Sequence, residues 1–391
     1  MPRKRLSFLL PNVRILVVIA TWGYPAVRCG AAEHAQAGGA PKFLGATSCS
    51  SSGCHGGGGK NQNQYLVWLA RDFHSQRPFA TLTTARSKQI ADALRIKEPA
   101  TDTRCASCHS PLREVPEALR AETFRISEGV SCESCHGPAE SWLRSHTRPD
   151  WTHADRVFAG MRDLKNLYVR ANTCVACHQT VAPPLLKAGH PELIFELDGQ
   201  CVSQPRHWRE KANWNGAQAW LVGQAVALRE ISWQLSREAE PGEKQMARWS
   251  ALLWLLQALQ GLDGEFSTLS KIPAERASQN FLATLKASDE LAQRVSASQW
   301  TDEMSRKALK TLASISNDFR QPGLTIEFQA RRAEQLVLAL DRLFVSCKHI
   351  HPASSADANL NRLFRQVQSR PELNASEFAD VLDQVSHSLD E

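Results

Sequence analysis

Along most of the chain, apolar residues recur at helical spacing and seldom alternate. In the C-terminal half, Leu221, Leu228, Ile231 and Leu235 fall on one helical face, as do Trp249, Leu253, Leu256 and Leu259. Leu336, Leu340, Leu343 and Phe344 mark a third helix, and Phe378, Val381, Leu382 and Val385 a last short one. Pro273 stands where a helix could begin, and Thr301 followed by Asp302 and Glu303 reads as an N-cap with an acidic first turn. Nearer the start, Tyr65–His74 reads as a helix that puts Trp68 and His74 near one apolar side. β-Branched residues never alternate over a useful length, so strands are not expected. The pattern predicts an all-α chain, with a loop-rich domain over residues 42–210 and a helical bundle or helical extension over 213–391 packed on it. The leucine and tryptophan faces are read as ordinary helix packing.

One apolar stretch stands apart. Arg3, Lys4 and Arg5 precede a run densest at Ile15–Trp22, and Ala31 and Ala32 supply the small residues a cleavage site requires. Residues 1–31 therefore read as a signal peptide, which implies export to the periplasm or beyond. Arg14 interrupts the run, so an uncleaved membrane anchor is the alternative. Arg28 precedes Cys29 where lipid attachment would need a small residue, and Cys29 is expected to leave with the signal. No later apolar run is long enough for a multi-pass membrane protein. The formal charge of +6 changes meaning with cleavage, because five basic residues depart and the remainder is nearly balanced. That balance gives no argument for nucleic-acid binding.

Eleven cysteines in an exported chain would first suggest disulfides. Their placement suggests another chemistry. Cys105–His109, Cys132–His136 and Cys174–His178 are three C-x-x-C-H motifs, the signature of covalent haem c attachment. Two thiols one turn apart can add to the two vinyl groups on a porphyrin edge, and the adjacent histidine then lies over the iron. Chance supplies roughly one such match per hundred chains. A fourth motif, Cys49-Ser-Ser-Ser-Gly-Cys54-His55, is looser, with Ser and Gly to bulge the two extra residues and Gly56–Gly59 behind it. The expectation is four covalently bound haems c, with His55, His109, His136 and His178 as proximal ligands. Zinc would not require a histidine after every second cysteine. Cys201 and Cys347 remain, as a pair or as buried thiols.

Second axial ligands decide between carrier and catalyst. Methionine is scarce, with only Met161 among the motifs, so bis-histidine ligation is expected. His74, His146 and His190 stand out as distal ligands by context. His153 and His207 rank behind them beside Trp151 and Trp208, and His349, His351 and His387 fall in the helical tail. If only three distal histidines are used, one iron keeps an open face on which a small ligand can bind.

At these residues the chain resembles the multihaem cytochrome c family that includes the tetrahaem electron acceptor of hydroxylamine oxidoreductase. The matching segments are Thr47–Gly56, Phe73–Ser75, Gly129–Pro138 and Ala188–Leu193, with Gly160 and Met161 ahead of Cys174. The resemblance spans roughly residues 45–208. It implies a mostly helical domain of closely stacked haems, export, and electron transfer to or from a redox partner protein, membrane-associated or soluble. It also implies distal-ligand roles for His74, His146 and His190. Relatives often carry a further histidine shortly before the Gly-His-Pro segment, where this chain has Gln179–Lys187 without one. Three functions follow: an electron carrier, a haem enzyme with one open iron acting on a small nitrogen or oxygen species, and a helical subunit that docks the haem domain to a larger complex. No catalytic triad, phosphate loop or zinc-protease motif appears.

Overall fold

A computed structural model describes residues 39–210, 214–262, 268–347, 355–368 and 373–389. The signal-peptide reading, with Cys29, and the histidines His349 and His351 fall outside these residues. The chain is all-α. Among the described residues, one isolated bridge between Phe43 and Arg120 is the only extended pairing. Pro41–Glu391 form one compact unit.

The first part is made of short helices joined by long loops: α1 (Gln64–Arg71), α2 (Gln76–Thr81), α3 (Ala85–Ala93), α4 (Thr103–His109), α5 (Cys132–His136), α6 (His153–Phe158), α7 (Leu167–His178), α8 (Pro183–Lys187) and α9 (Leu197–Ser203). Longer helices follow: α10 (Gly216–Leu235), α11 (Glu243–Ala258), α12 (Ser278–Ala297), α13 (Asp302–Ala313), α14 (Asn317–Arg320), α15 (Ile326–Ser346), α16 (Ser355–Gln368) and α17 (Ala375–Ser388). None of the described helices is long and apolar enough to cross a membrane.

The apolar core lies almost wholly in the second part. Its contiguous cluster begins at Leu167 and runs through α10, α11, α12, α13, α15 and α17. Before Leu167 the buried apolar residues, such as Trp68, Leu82, Ile90, Phe124 and Trp142, do not belong to that cluster. Helix α10 is its centre. Leu221, Leu228, Ile231 and Leu235 are buried as a single face would require, yet Trp220, Val222, Ala225 and Val226 are buried too. Neighbours α7, α9, α11, α12 and α15 cover α10 on most sides, so its apolar pattern is broader than one stripe. Gly223 allows the close approach of α9, since a Cβ there would stand 2.8 Å from that of Leu197.

Local signals explain most helix ends, and two sequence expectations need correction. Thr301 caps α13, its side chain accepting from Met304 N, with Asp302 and Glu303 in the first turn. Pro273 starts no helix; α12 begins at Ser278, where the extended backbone of Ala277 turns into the helix without a side-chain cap. The Tyr65–His74 segment is helical only to Arg71. Asp72 breaks it, turning into extended backbone so that its carboxylate receives both the amide and the ring of His74.

The two parts are joined through α7, which packs on α10 and α12. Arg229 of α10 holds this joint, donating to Asp289 (2.7 Å) and to Asn172 (2.6 Å), while Tyr168 donates to the same Asp289 (2.7 Å).

Candidate haem-binding site

Each attachment motif ends on a histidine at a helix or turn terminus, which frees the ring from the helix wall. His109, His136 and His178 are the last residues of α4, α5 and α7. In the first motif, Cys49 ends a 3-10 turn and the four-residue insert closes on itself, with Cys54 N donating to Ser51 O (2.9 Å) and His55 N to Cys49 O (3.2 Å). Cys54 and His55 thereby stand beside Cys49 despite the longer spacing. Gly56 serves this closure: a Cβ there would lie 1.8 Å from Ser50 O, so no other residue fits.

Three histidine pairs face each other. The ring centres of His55 and His146 are 6.0 Å apart, those of His74 and His178 5.8 Å, and those of His109 and His190 6.5 Å. An iron ligated on both sides by imidazole sets this spacing near 6 Å, since each metal–nitrogen bond is about 2 Å and each ring centre about 1 Å further. The planes of His55 and His146 are inclined by 29°, whereas the other pairs are nearly perpendicular at 82° and 80°.

Hydrogen bonds set the tautomer within these pairs. The Nδ1 atoms donate to Gln64 Oε1 from His55 (2.9 Å), to Asp72 Oδ1 from His74 (3.0 Å) and to Pro78 O from His109 (2.8 Å). His146 donates to Leu143 O (2.6 Å) and His190 to Pro191 O (2.8 Å). With the proton held on Nδ1 by an oxygen acceptor, Nε2 is left bare for a metal. Burial acts in the same direction, holding His109, His146 and His178 neutral at a lower pH than a free imidazole. Asp72 stays ionised despite its burial, because His74 and Gln204 hydrogen-bond it below the usual carboxylate range.

His136 differs from the other three proximal histidines. Burial, followed by the charges of His207 and Arg162, pushes it down to about 4. Among the described residues no second ring contacts it.

The motifs are also close to one another. The Cys49 and Cys132 thiols are close neighbours, as are those of Cys108 and Cys177. Cys135 neighbours both Cys174 and Cys177. Two carboxylates that sequence reasoning passed over produce the first of these contacts. Glu133, inside C-E-S-C-H, accepts from Leu44 N (2.9 Å), Gly45 N (2.7 Å) and Ala139 N (2.7 Å), and Glu128 accepts from Ala46 N (3.0 Å). They draw the strand-like approach to motif one onto motif three. The only signal in the sequence was an acidic residue between two cysteines of a motif that needs none there.

The residues present fit haem c. The histidines come in pairs, as an iron already held by four porphyrin nitrogens needs, and no group of three or more His, Cys, Asp or Glu among the described residues is placed to hold a bare metal ion. Paired cysteines lie on one turn beside each proximal ring. Exposed apolar side chains near the pairs, such as Phe73 at 64% and Leu66 and Leu69 on α1, offer surface for porphyrin faces.

Comparison with known families now adds its finding. Residues 48–137 match the family of cytochrome c554 and c-prime. The match covers the first three motifs and His74, and it supports a c-type cytochrome segment with covalently bound haem. No curated protein and no solved structure matches the chain.

The remaining sequence candidates separate clearly. His153 is half exposed and engages Asp163 through Nε2 (3.1 Å), and His387 is exposed with Nδ1 on Asp383 O (2.6 Å). Cys201 and Cys347 are both free and buried, and burial pushes each thiol up to about 11. Arg170 and Glu210 neighbour Cys201, whereas Arg306 and Asp302 neighbour Cys347.

Proposed function

We propose that the chain is an exported tetrahaem electron carrier of the kind that accepts electrons from an oxidoreductase, with three six-coordinate haems and one, on His136, open on its second side. The observation that carries this reading is the set of three histidine pairs at iron-ligating distance, each joining one motif histidine to one of His74, His146 and His190. Haem c supplies reversible one-electron chemistry when bound. The chain's part is to order and insulate the sites. The thiol contacts support a spatial order of first, third, fourth and second motif, so that a charge entering near His55 has a neighbour at every step to His109. Imidazoles on both faces, five of the six anchored through Nδ1, favour low potentials. The sparse apolar core before Leu167 supports an interior completed by porphyrin.

The second reading is a haem enzyme acting on a small nitrogen or oxygen species. It is favoured by one observation, the lack of a ring partner for His136 among the described residues. Haem quantification with a redox titration of the mature protein tests the first reading. Four haems per chain, with most of the titration at negative potentials, agree with it. Two haems or fewer, or a titration dominated by positive potentials typical of Met/His ligation, would refute it.

A further inference from the structure

His190 stands on a stretch that apolar packing does not hold. Between Val181 and Phe195, which are both buried, no side chain is buried. Helix α8 lies in this stretch and ends at Gly189, whose φ of 104° lets Gly189 N donate to Leu186 O (3.1 Å) and His190 N to Leu185 O (2.9 Å). His190 thereby leaves α8 in a defined direction. Its Nδ1 donates to Pro191 O (2.8 Å), an acceptor on its own loop. The ring is fixed to the loop, so whatever fixes the loop also places the ring.

The loop does not settle on the helical half by close contact. A cavity of about 230 Å³ lies between its residues Leu186, His190 and Leu193 and residues Ile231 of α10 and Lys244 of α11. Charged groups span the gap instead. Arg331 of α15, only 5% exposed, donates to Glu192 Oε2 (2.6 Å). It also pairs with Glu327 (3.0 Å) and Glu334 (3.2 Å), one turn to either side on α15. Those two carboxylates already outweigh one guanidinium, so Glu192 is not needed to balance it; its bond ties the loop to α15. Arg248 of α11, also buried, adds a longer ion pair to Glu192 Oε1 (3.5 Å) and donates to Leu193 O. Hydrogen bonds between ionised groups are about twice as strong as neutral ones, and buried pairs are little screened by salt. From the other side Arg86 of α3 donates to Gly189 O (2.7 Å). His190 is thus bracketed, with Gly189 held from α3 and with Glu192 and Leu193 held from α11 and α15.

We propose that Arg331 and Arg248 are positioning residues for the haem between His109 and His190. Through Glu192 and Leu193 O they keep the His190 ring 6.5 Å from that of His109, so the helical half sets the ligation of a haem it does not itself carry. This rests on the reading of His190 as the second ligand of that haem, and it gives the helical half a part in the redox site beyond packing. Arg248 Nη2 also donates to Gln179 Oε1 (2.9 Å), beside His178, so the role in His190 placement is separated most cleanly at Glu192 and Arg331.

The test compares fully loaded wild type with Glu192→Ala, Arg331→Ala and Arg331→Lys, and uses His190→Ala to identify the signal of this haem. Low-temperature EPR reads ligation in the oxidised state. Carbon monoxide is the probe in the reduced state, where this iron binds it only after His190 leaves. In Glu192→Ala and Arg331→Ala the low-spin signal that His190→Ala removes should weaken in favour of high-spin iron. The carbon monoxide phase of that haem should be roughly tenfold faster, as the loss of one charge-assisted hydrogen bond implies. Arg331→Lys, which keeps the charge, should restore most of both. The low-spin signals of the other two pairs should match wild type, a selectivity that general loosening of the fold would not give. If His190→Ala removes a signal while Glu192→Ala and Arg331→Ala match wild type in spectrum and rate, the clamp is overturned and His190 remains a ligand. Equal loss of all three low-spin signals in Glu192→Ala would also overturn it, because the cluster would then hold the fold and not one ligand. An unchanged spectrum in His190→Ala would instead overturn the ligand reading beneath the proposal.

Discussion

At the scale of single residues, the chemistry of this chain is set by what holds each histidine. The motif residues were legible in the sequence because covalent haem attachment demands a fixed spacing. His74, His146 and His190 were also singled out there, and the structure brings each opposite a motif histidine. Their pairing was not legible, since it joins residues 81 to 104 positions apart through tertiary structure. Neither were the oxygen acceptors on Nδ1, three of which are backbone carbonyls with no sequence signature. Replacing half-buried His190 by alanine should convert one low-spin haem to high-spin with haem content unchanged, as read by EPR beside a pyridine haemochrome assay; an unaltered spectrum would remove His190 from the ligand set. Asp72→Asn should raise the potential of one haem, because a neutral acceptor makes His74 a weaker electron donor to iron. Spectroelectrochemical titration reads that shift.

At the scale of elements, the second part of the chain was read well where helices are amphipathic and less well where they are central. Periodicity found the faces of α15 and α17, but α10 is apolar nearly all round because five helices cover it. The start of α12 was misplaced since Pro273 permits a helix without compelling one. Leu228→Ala at the centre of α10 should cost about 2–5 kcal/mol, measured by denaturant unfolding with haem absorbance as a second probe. The first motif depends on an element of another kind, the closed insert between Cys49 and Cys54. Gly56→Ala should prevent that closure and yield protein with three haems, detected as a mass deficit of one haem. A full complement of four would show that the loop can open without losing attachment.

The whole molecule consists of a haem-bearing half with little apolar core of its own and a helical half with a large one, joined through α7. This division was visible in the change of composition after Asn213, whereas the spatial order of the motifs was not, because it depends on buried carboxylates at Glu128 and Glu133. Near the joint, burial pushes Glu196 up to about 7. The folded chain therefore keeps a proton there that the unfolded chain releases near the usual carboxylate value. Its contribution to stability is full below that value and is lost as pH rises towards about 7, after which it is constant. Thermal unfolding of wild type against Glu196→Gln should show the wild type losing ground between about pH 4.5 and 7, and a pH-independent difference would contradict this.

The central claim is that four covalent haems sit on this chain with three histidine pairs and one open iron. Low-temperature EPR of the oxidised mature protein, with haem counted on the same sample, tests it most directly. The account predicts four haems per chain, with three low-spin signals and one high-spin. One low-spin signal should be rhombic, from the nearly parallel rings of His55 and His146, and two should have the large principal g-value of perpendicular rings. Fewer than three low-spin haems, or a spectrum without bis-histidine signals, would contradict it.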